Sequence, residues 1–125
     1  MYENYIFQEE SRAIIDAAYT VHKTLGTGFV EAVYQEALAI ELSQRGVPFT
    51  QQQELTIYYG TMQLQKKFYA DFLCYNAIIL ELKATQAIAP EHRAQILNYL
   101  RASKLHLGLL INFGEPKINI QRFIA

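Results

Sequence analysis

Asp71, Glu81 and Lys83 are the residues whose types and spacing best suit chemistry in this chain, where Asp16 is the only other aspartate. Glu81 and Lys83 flank Leu82 at the end of a nearly continuous apolar run that begins at Ala77. In a strand, the two-residue period sets both on one face. A three-residue loop at 75–77 pairs Cys74 with Ile78, Phe72 with Leu80 and Asp71 with Glu81. That register gathers Phe68, Ala70, Phe72, Cys74, Ile78, Leu80 and Leu82 on the opposite face. A two-residue loop would oppose Asp71 to Leu80 and mix polar with apolar on both faces. Hydrophobic patterning sets register, so the first pairing is the expected one. Two carboxylates opposed across a pair of strands, with Cβ atoms about 4.5–5.5 Å apart, repel unless a cation lies between them. Oxygen-rich sites of this kind suit Mg²⁺ or Mn²⁺. A lysine beside the metal can orient or deprotonate a water, or balance charge on a phosphate in flight. The ordinary alternative is a solvated Glu81–Lys83 ion pair at a strand end.

Two further groups carry candidates. At about 100° per residue, Glu31 falls on the helical stripe of Tyr34, Leu38 and Leu42, where an acid needs a partner or a metal. A salt bridge, or an acid favoured at a helix start, explains Glu31 equally. His92, Gln95 and Tyr99 share one face of a later helix and could hydrogen-bond a phosphate or a metal-bound water, though a solvated face has the same pattern. Arg93, Arg101 and Lys104 add basic charge along that helix, either for a nucleic-acid backbone or as plain surface. Tyr58, Tyr59 and Tyr69 with Lys66 and Lys67 interleave aromatic and basic groups, as a strand surface also would. His22, His92 and His106 lack metal-ligand spacing, and the chain has no nucleophile elbow, P-loop or dinucleotide fingerprint.

The elements that must position these groups can be read from hydrophobic period. Ile14, Ala18, Val21 and Leu25 predict a helix over 8–25, broken by Gly26-Thr27-Gly28. A second helix over 29–45 stops at Gly46, ahead of Pro48. Leu55, Ile57 and Tyr59 alternate as a strand, a turn follows at Gly60-Thr61, and the even positions from Met62 to Cys74 form the next. Pro90 starts a helix whose apolar stripe includes Ile96, Leu97 and Leu100. Leu107–Phe113 is an apolar strand, and residues 118–124 form a short last one. The order α-α-β-β-β-α-β-β predicts a single domain over 1–125, with helices packed on a mixed sheet.

At 125 residues with 51% hydrophobic side chains, the chain can bury a core and is not a disordered sequence. A net charge of -1 and a pI near 6.3 exclude a bulk-charge polyanion binder. The charge is uneven: residues 1–60 carry three basic and eight acidic side chains, residues 61–125 eight and four. Any polyanion contact is therefore expected through the second half. The one cysteine, Cys74, excludes an internal disulfide and a Cys-based zinc site. No secretory pattern or membrane-length apolar run is visible, so a cytoplasmic location without membrane contact is expected. Helix 29–45 carries Val30, Val33, Ala37 and Ile40 beside its Tyr34 stripe, more than one core needs, which allows a homodimer.

Glu31 on a helix, Asp71 on a strand, Glu81-x-Lys83 and Gln95-x-x-x-Tyr99 together resemble the PD-(D/E)XK nuclease superfamily, the last motif resembling its exonuclease branch. More closely, Gly28-x-x-Glu31-x-x-Tyr34, Tyr69-Ala70-Asp71, Glu81-Leu82-Lys83-Ala84 and Leu109–Gly114 resemble the GxxExxY family, over about residues 8–124. The resemblance implies a restriction-endonuclease-like αβββαβ core, a mixed sheet flanked by helices, with an extra N-terminal helix and C-terminal strand. It implies Asp71, Glu81 and the Leu82 carbonyl as metal ligands with Glu31 assisting, and Lys83 as the catalytic lysine. Gln95 and Tyr99 would buttress the site or contact substrate, with Tyr34 and His92 beside them. Ala70 stands where the superfamily often has Gly or Pro. The expected activity is Mg²⁺- or Mn²⁺-dependent hydrolysis of DNA or RNA. The alternative is a non-catalytic nucleic-acid-binding or assembly module that keeps the fold.

Overall fold

Two strands, β5 (Ile78–Lys83) and β6 (Leu107–Asn112), are buried almost throughout, as their unbroken apolar runs require of strands covered on both faces. They pair in parallel, Ile78 with Leu107 through Lys83 with Asn112. The connection between them is α3 (Pro90–Ser103), the crossover that a parallel pair needs. The structure, a computed structural model, describes residues 6–125. Ahead of these elements come α1 (Gln8–Leu25), α2 (Glu31–Gln44), β1 (Phe49–Leu55), β2 (Tyr58–Tyr59), β3 (Met62–Gln63) and β4 (Phe68–Cys74), and β7 (Asn119–Ile124) follows them. The main sheet has the order β1-β4-β5-β6-β7, and only β5 and β6 are parallel within it. This is the expected mixed sheet, with α1 as the extra helix and β7 as the extra strand.

The helices divide between the two faces. On one, Ile14, Ala18, Tyr34 and Leu38 pack against Phe72, Leu80, Leu109 and Phe113. On the other, Leu100 of α3 packs with Leu73 and Ile79. Gly108 permits that approach: a Cβ there would lie 2.8 Å from Ile96 Cδ1 and 3.2 Å from Leu100 Cδ1.

Three details depart from the sequence reading. The strand expected over Leu55–Tyr59 begins instead at Phe49, because β1 is an edge strand, placed by its ladder with β4 rather than by apolar alternation. The long strand expected from Met62 to Cys74 is divided: β2 and β3 form a separate two-stranded hairpin, and β4 starts at Phe68. Phe68 and Ala70 also do not share a face with Phe72 and Cys74. They pack with Leu73 and Ile79 on the α3 side, so the alternation of β4 breaks at Asp71. Gln52, which falls opposite Asp71 on β1, has a left-handed φ of 49° and is skipped in the register between Gln51–Phe72 and Gln53–Ala70. The expected loop does hold: Tyr75, Asn76 and Ala77 join Cys74 to its partner Ile78, with Tyr75 and Asn76 at φ 54° and 55°.

Candidate functional site

The hairpin of β4 and β5 pairs Cys74 with Ile78 and Phe72 with Leu80, and beyond that point side chains take over from the ladder. The backbone N–H of Asp71 donates to Glu81 Oε2 at 3.1 Å, and the N–H of Leu82 donates to Asp71 Oδ2 at 2.7 Å. Two acids thus sit in the seam where the strands part. Glu81 is only 8% exposed. Burial, and then the charge of Asp71, push its carboxyl up to about 8, while Lys83 acts in the opposite direction. Local irregularity of the backbone at Gln52 adds to this concentration of cost, of the kind that gathers at functional sites.

Glu31 approaches from α2. Its carboxyl is pushed above the usual range, first by burial and then by the charge of Asp71, with Lys83 opposing. The Gly28-x-x-Glu31-x-x-Tyr34 spacing explains how it is placed. Gly28 has φ +104°, a conformation that strains other residues, and Val30 is extended just before the helix. One turn on, buried Tyr34 reaches back: its hydroxyl donates to the Gly26 carbonyl at 2.6 Å and accepts the Phe29 N–H at 3.3 Å. Its ring stacks on Phe113 at 4.8 Å. Tyr34 therefore serves the loop ahead of Glu31 from a fully buried position.

From the other face, α3 contributes Tyr99, whose phenol is pushed above its usual range by burial, then by Glu81 and further by Asp71, against a hydrogen bond from Gln95. Gln95 Nε2 donates to the Tyr99 hydroxyl at 2.9 Å. His92 lies near the start of α3, where its Nδ1 accepts the N–H of Ala89 at 3.1 Å and completes the helix cap. Arg101 and Lys104 are exposed and Arg93 is half-buried.

The structure adds a residue to which the sequence reading gave no task. Asn112 is fully buried opposite Lys83. Its Oδ1 accepts the N–H groups of Thr85 at 3.0 Å and Gly114 at 3.1 Å, and its Nδ2 donates to the Thr85 carbonyl at 3.0 Å and Glu115 Oε2 at 2.6 Å. The N–H of Phe113 also donates to the Lys83 carbonyl at 2.8 Å. Asn112 thereby ties down the chain just after Lys83. The signal was an asparagine inside an otherwise apolar run, ahead of a glycine.

Among the described residues, no three His, Cys, Asp or Glu side chains form a ready metal cage. The donor set still fits a hard divalent cation. Asp71 and Glu81 offer only oxygen, face one another with like charge, and hold in Glu81 a proton that a cation would displace. Asp71, Glu81 and the Leu82 carbonyl would hold it, with Glu31 a further acid that feels the charge of Asp71.

A five-stranded mixed sheet with helices on both faces and an extra N-terminal helix defines a restriction-endonuclease-like fold. The chain belongs to the PD-(D/E)XK nuclease superfamily, whose family model matches residues 8–123. Members of that superfamily generally use divalent metals. Among solved structures, the crystal structure of SSO0001 is similar in fold, with a TM-score of 0.61 and 18% sequence identity. The match covers 99% of this chain and 62% of the SSO0001 chain. A search of curated proteins found no match. Among the described residues, no helix is long and apolar enough to cross a membrane.

Proposed function

We propose that this chain is a metal-dependent nuclease of the GxxExxY type, hydrolysing phosphodiester bonds in DNA or RNA. The observation that carries this reading is the Asp71–Glu81 seam, where the charge of Lys83 acts on Glu81 and the acids' own charge is felt by Glu31 from α2 and by Tyr99 from α3. A bound Mg²⁺ or Mn²⁺ would lower the pKa of a water and offset charge on the scissile phosphate. Asp71 and Glu81 would hold that cation through their carboxylates, helped by the Leu82 carbonyl and Glu31. Lys83 orients the attacking water and balances the negative charge that gathers as the P–O bond breaks. Gln95 and Tyr99, hydrogen-bonded to each other on α3, position the phosphate, while His92 caps that helix and Tyr34 fixes the loop ahead of Glu31.

The test is cleavage of labelled single-stranded and duplex oligonucleotides with Mn²⁺ or with EDTA. Cleavage that needs metal and is lost in Glu81→Ala and Lys83→Ala, both still folded by circular dichroism, supports the reading. Equal residual cleavage in the mutants overturns it. One observation favours a second reading, a non-catalytic module: the backbone hydrogen bonds of Asp71 and Glu81 give both acids a structural task without metal. Calorimetry separates the two, since Mn²⁺ binding lost in Asp71→Asn belongs to the enzyme alone. A homodimer is part of the leading reading, supported by the exposure of Val30 and Ile40 on and beside α2, and sedimentation checks it.

A further inference from the structure

A groove of about 370 Å³ runs beside α3, lined by Gln95, Asn98 and Tyr99 on one wall and by Ile57 and Phe68 on the other. Its inner part reaches Tyr99, the phenol that feels the charges of Glu81 and Asp71. At Ile57 the groove meets the β2–β3 hairpin, whose base is closed by the Leu64 N–H donating to the Ile57 carbonyl at 2.8 Å.

This hairpin has two residues per strand and no core of its own. Tyr59 pairs with Met62, so strand alternation carries the side of Ile57 and Leu64 outward to Tyr59 and Met62. Tyr59 is 78% exposed, Met62 69% and Leu64 42%, a contiguous apolar surface of the kind that marks an interaction site. A cation adjoins it: Lys66 is exposed in the strand-to-strand connection, two residues beyond Leu64, while Lys104 Nζ stands 5.3 Å from the centroid of the Tyr58 ring on the hairpin's other side. Lys67 is already held by Glu54 at 2.9 Å, and Glu91 is the acid on the groove wall.

Flat aromatic faces beside lysines fit a ligand with flat apolar faces joined by anionic groups. In a duplex those base faces are covered by their neighbours, whereas in an unpaired strand they are free to stack on tyrosine. The basic excess of residues 61–125, two of whose four acids lie in the seam, complements such a strand. We propose that the β2–β3 hairpin and the α3 groove bind an unpaired polynucleotide strand and lead it to the Asp71–Glu81 seam. Its bases lie against Tyr59 and Met62, and its phosphates against Lys66. The delivery to the seam rests on the nuclease reading; the binding does not.

Fluorescence anisotropy in EDTA tests it, with labelled oligodeoxythymidylate alone and annealed to oligodeoxyadenylate. Tyr59→Ala, at an exposed position, should leave thermal unfolding unchanged and weaken single-strand binding about tenfold, with less than about a twofold effect on the duplex. Met62→Ala should act in the same direction. Equal loss on both ligands, or loss on neither, overturns the proposal. So does sedimentation showing a wild-type oligomer that Tyr59→Ala dissociates, which would assign this face to a second copy of the chain. Single-strand binding sensitive to Tyr59, with no Mn²⁺-dependent cleavage, upholds the surface and defeats the nuclease reading. Cleavage with binding indifferent to Tyr59 does the reverse.

Discussion

Glu81 accepts the backbone N–H of Asp71, and Asp71 in turn accepts the N–H of Leu82, so each acid fills a ladder position on the other strand. The exchange holds β4 and β5 together where their backbones have separated, and it brings two like charges into a buried seam. The arrangement is comfortable with one proton on the pair, or with a cation, and strained with neither.

Stability of the metal-free protein should therefore fall as pH rises. The Glu81 carboxyl moves from an ordinary value of 4.5 to about 8 on folding, so between those values the folded state binds more protons than the unfolded state. The contribution is complete below 4.5 and is lost as pH rises through 8. Melting temperatures measured in EDTA should decline over this window in wild type and stay flatter in Glu81→Gln. At the alkaline end, Mn²⁺ should raise the wild-type Tm and leave that of Glu81→Gln nearly unchanged.

Tyr34→Phe removes a hydroxyl that both donates to Gly26 and accepts from Phe29, while keeping the stack on Phe113. The expected loss is about 1–2 kcal/mol in urea unfolding. Because the freed loop precedes Glu31, Mn²⁺ affinity by calorimetry should weaken too. An unchanged Mn²⁺ affinity would show that Glu31 is placed without this contact.

Asn112→Leu keeps the volume of the side chain but strands the N–H and carbonyl of Thr85, a cost of roughly 2–4 kcal/mol by denaturant midpoint. At Gly114, a Cβ would meet the Thr85 carbonyl oxygen at 2.2 Å and its nitrogen at 2.5 Å, contacts with backbone that cannot step aside. Gly114→Ala should unfold at lower urea than wild type, with a deficit at least as large as that of Asn112→Leu.

Gly108→Ala meets a softer obstacle, the tip of Ile96, and should cost about 1–3 kcal/mol by overpacking. Ile96→Val removes the Cδ1 atom concerned. In the double mutant, part of the deficit should return, and a double-mutant cycle on thermal unfolding measures how much.

Elements with a strong period were legible from sequence. Helices α1 and α3, and the buried pair β5 and β6, follow directly from apolar spacing, and the 75–77 loop followed from requiring one apolar face. Residues that obey no period were not legible. Gln51 and Gln52 carry no alternation, so nothing local marks β1; its partner strand places it. The break in β4 was hidden because Phe68, Ala70, Phe72 and Cys74 keep a perfect two-residue pattern in sequence while their backbone reverses face at Asp71. The candidate site divides likewise. Asp71, Glu81 and Lys83 announce themselves by charge in an apolar setting. Asn112 and the capping role of His92 depend on backbone groups that only the folded chain brings near.

Cys74 is the chain's single thiol, fully buried beside the hairpin turn, and burial pushes it up to about 12. Its ladder partner, Ile78, lies three residues before Glu81, and Asp71 lies three before Cys74 itself. A thiol reagent can modify it only when this hairpin opens. The rate of alkylation thus becomes a built-in clock for the breathing of the segment that carries both acids. Slowing of that clock by Mn²⁺ would register a cation at the seam without any nucleic acid being cut.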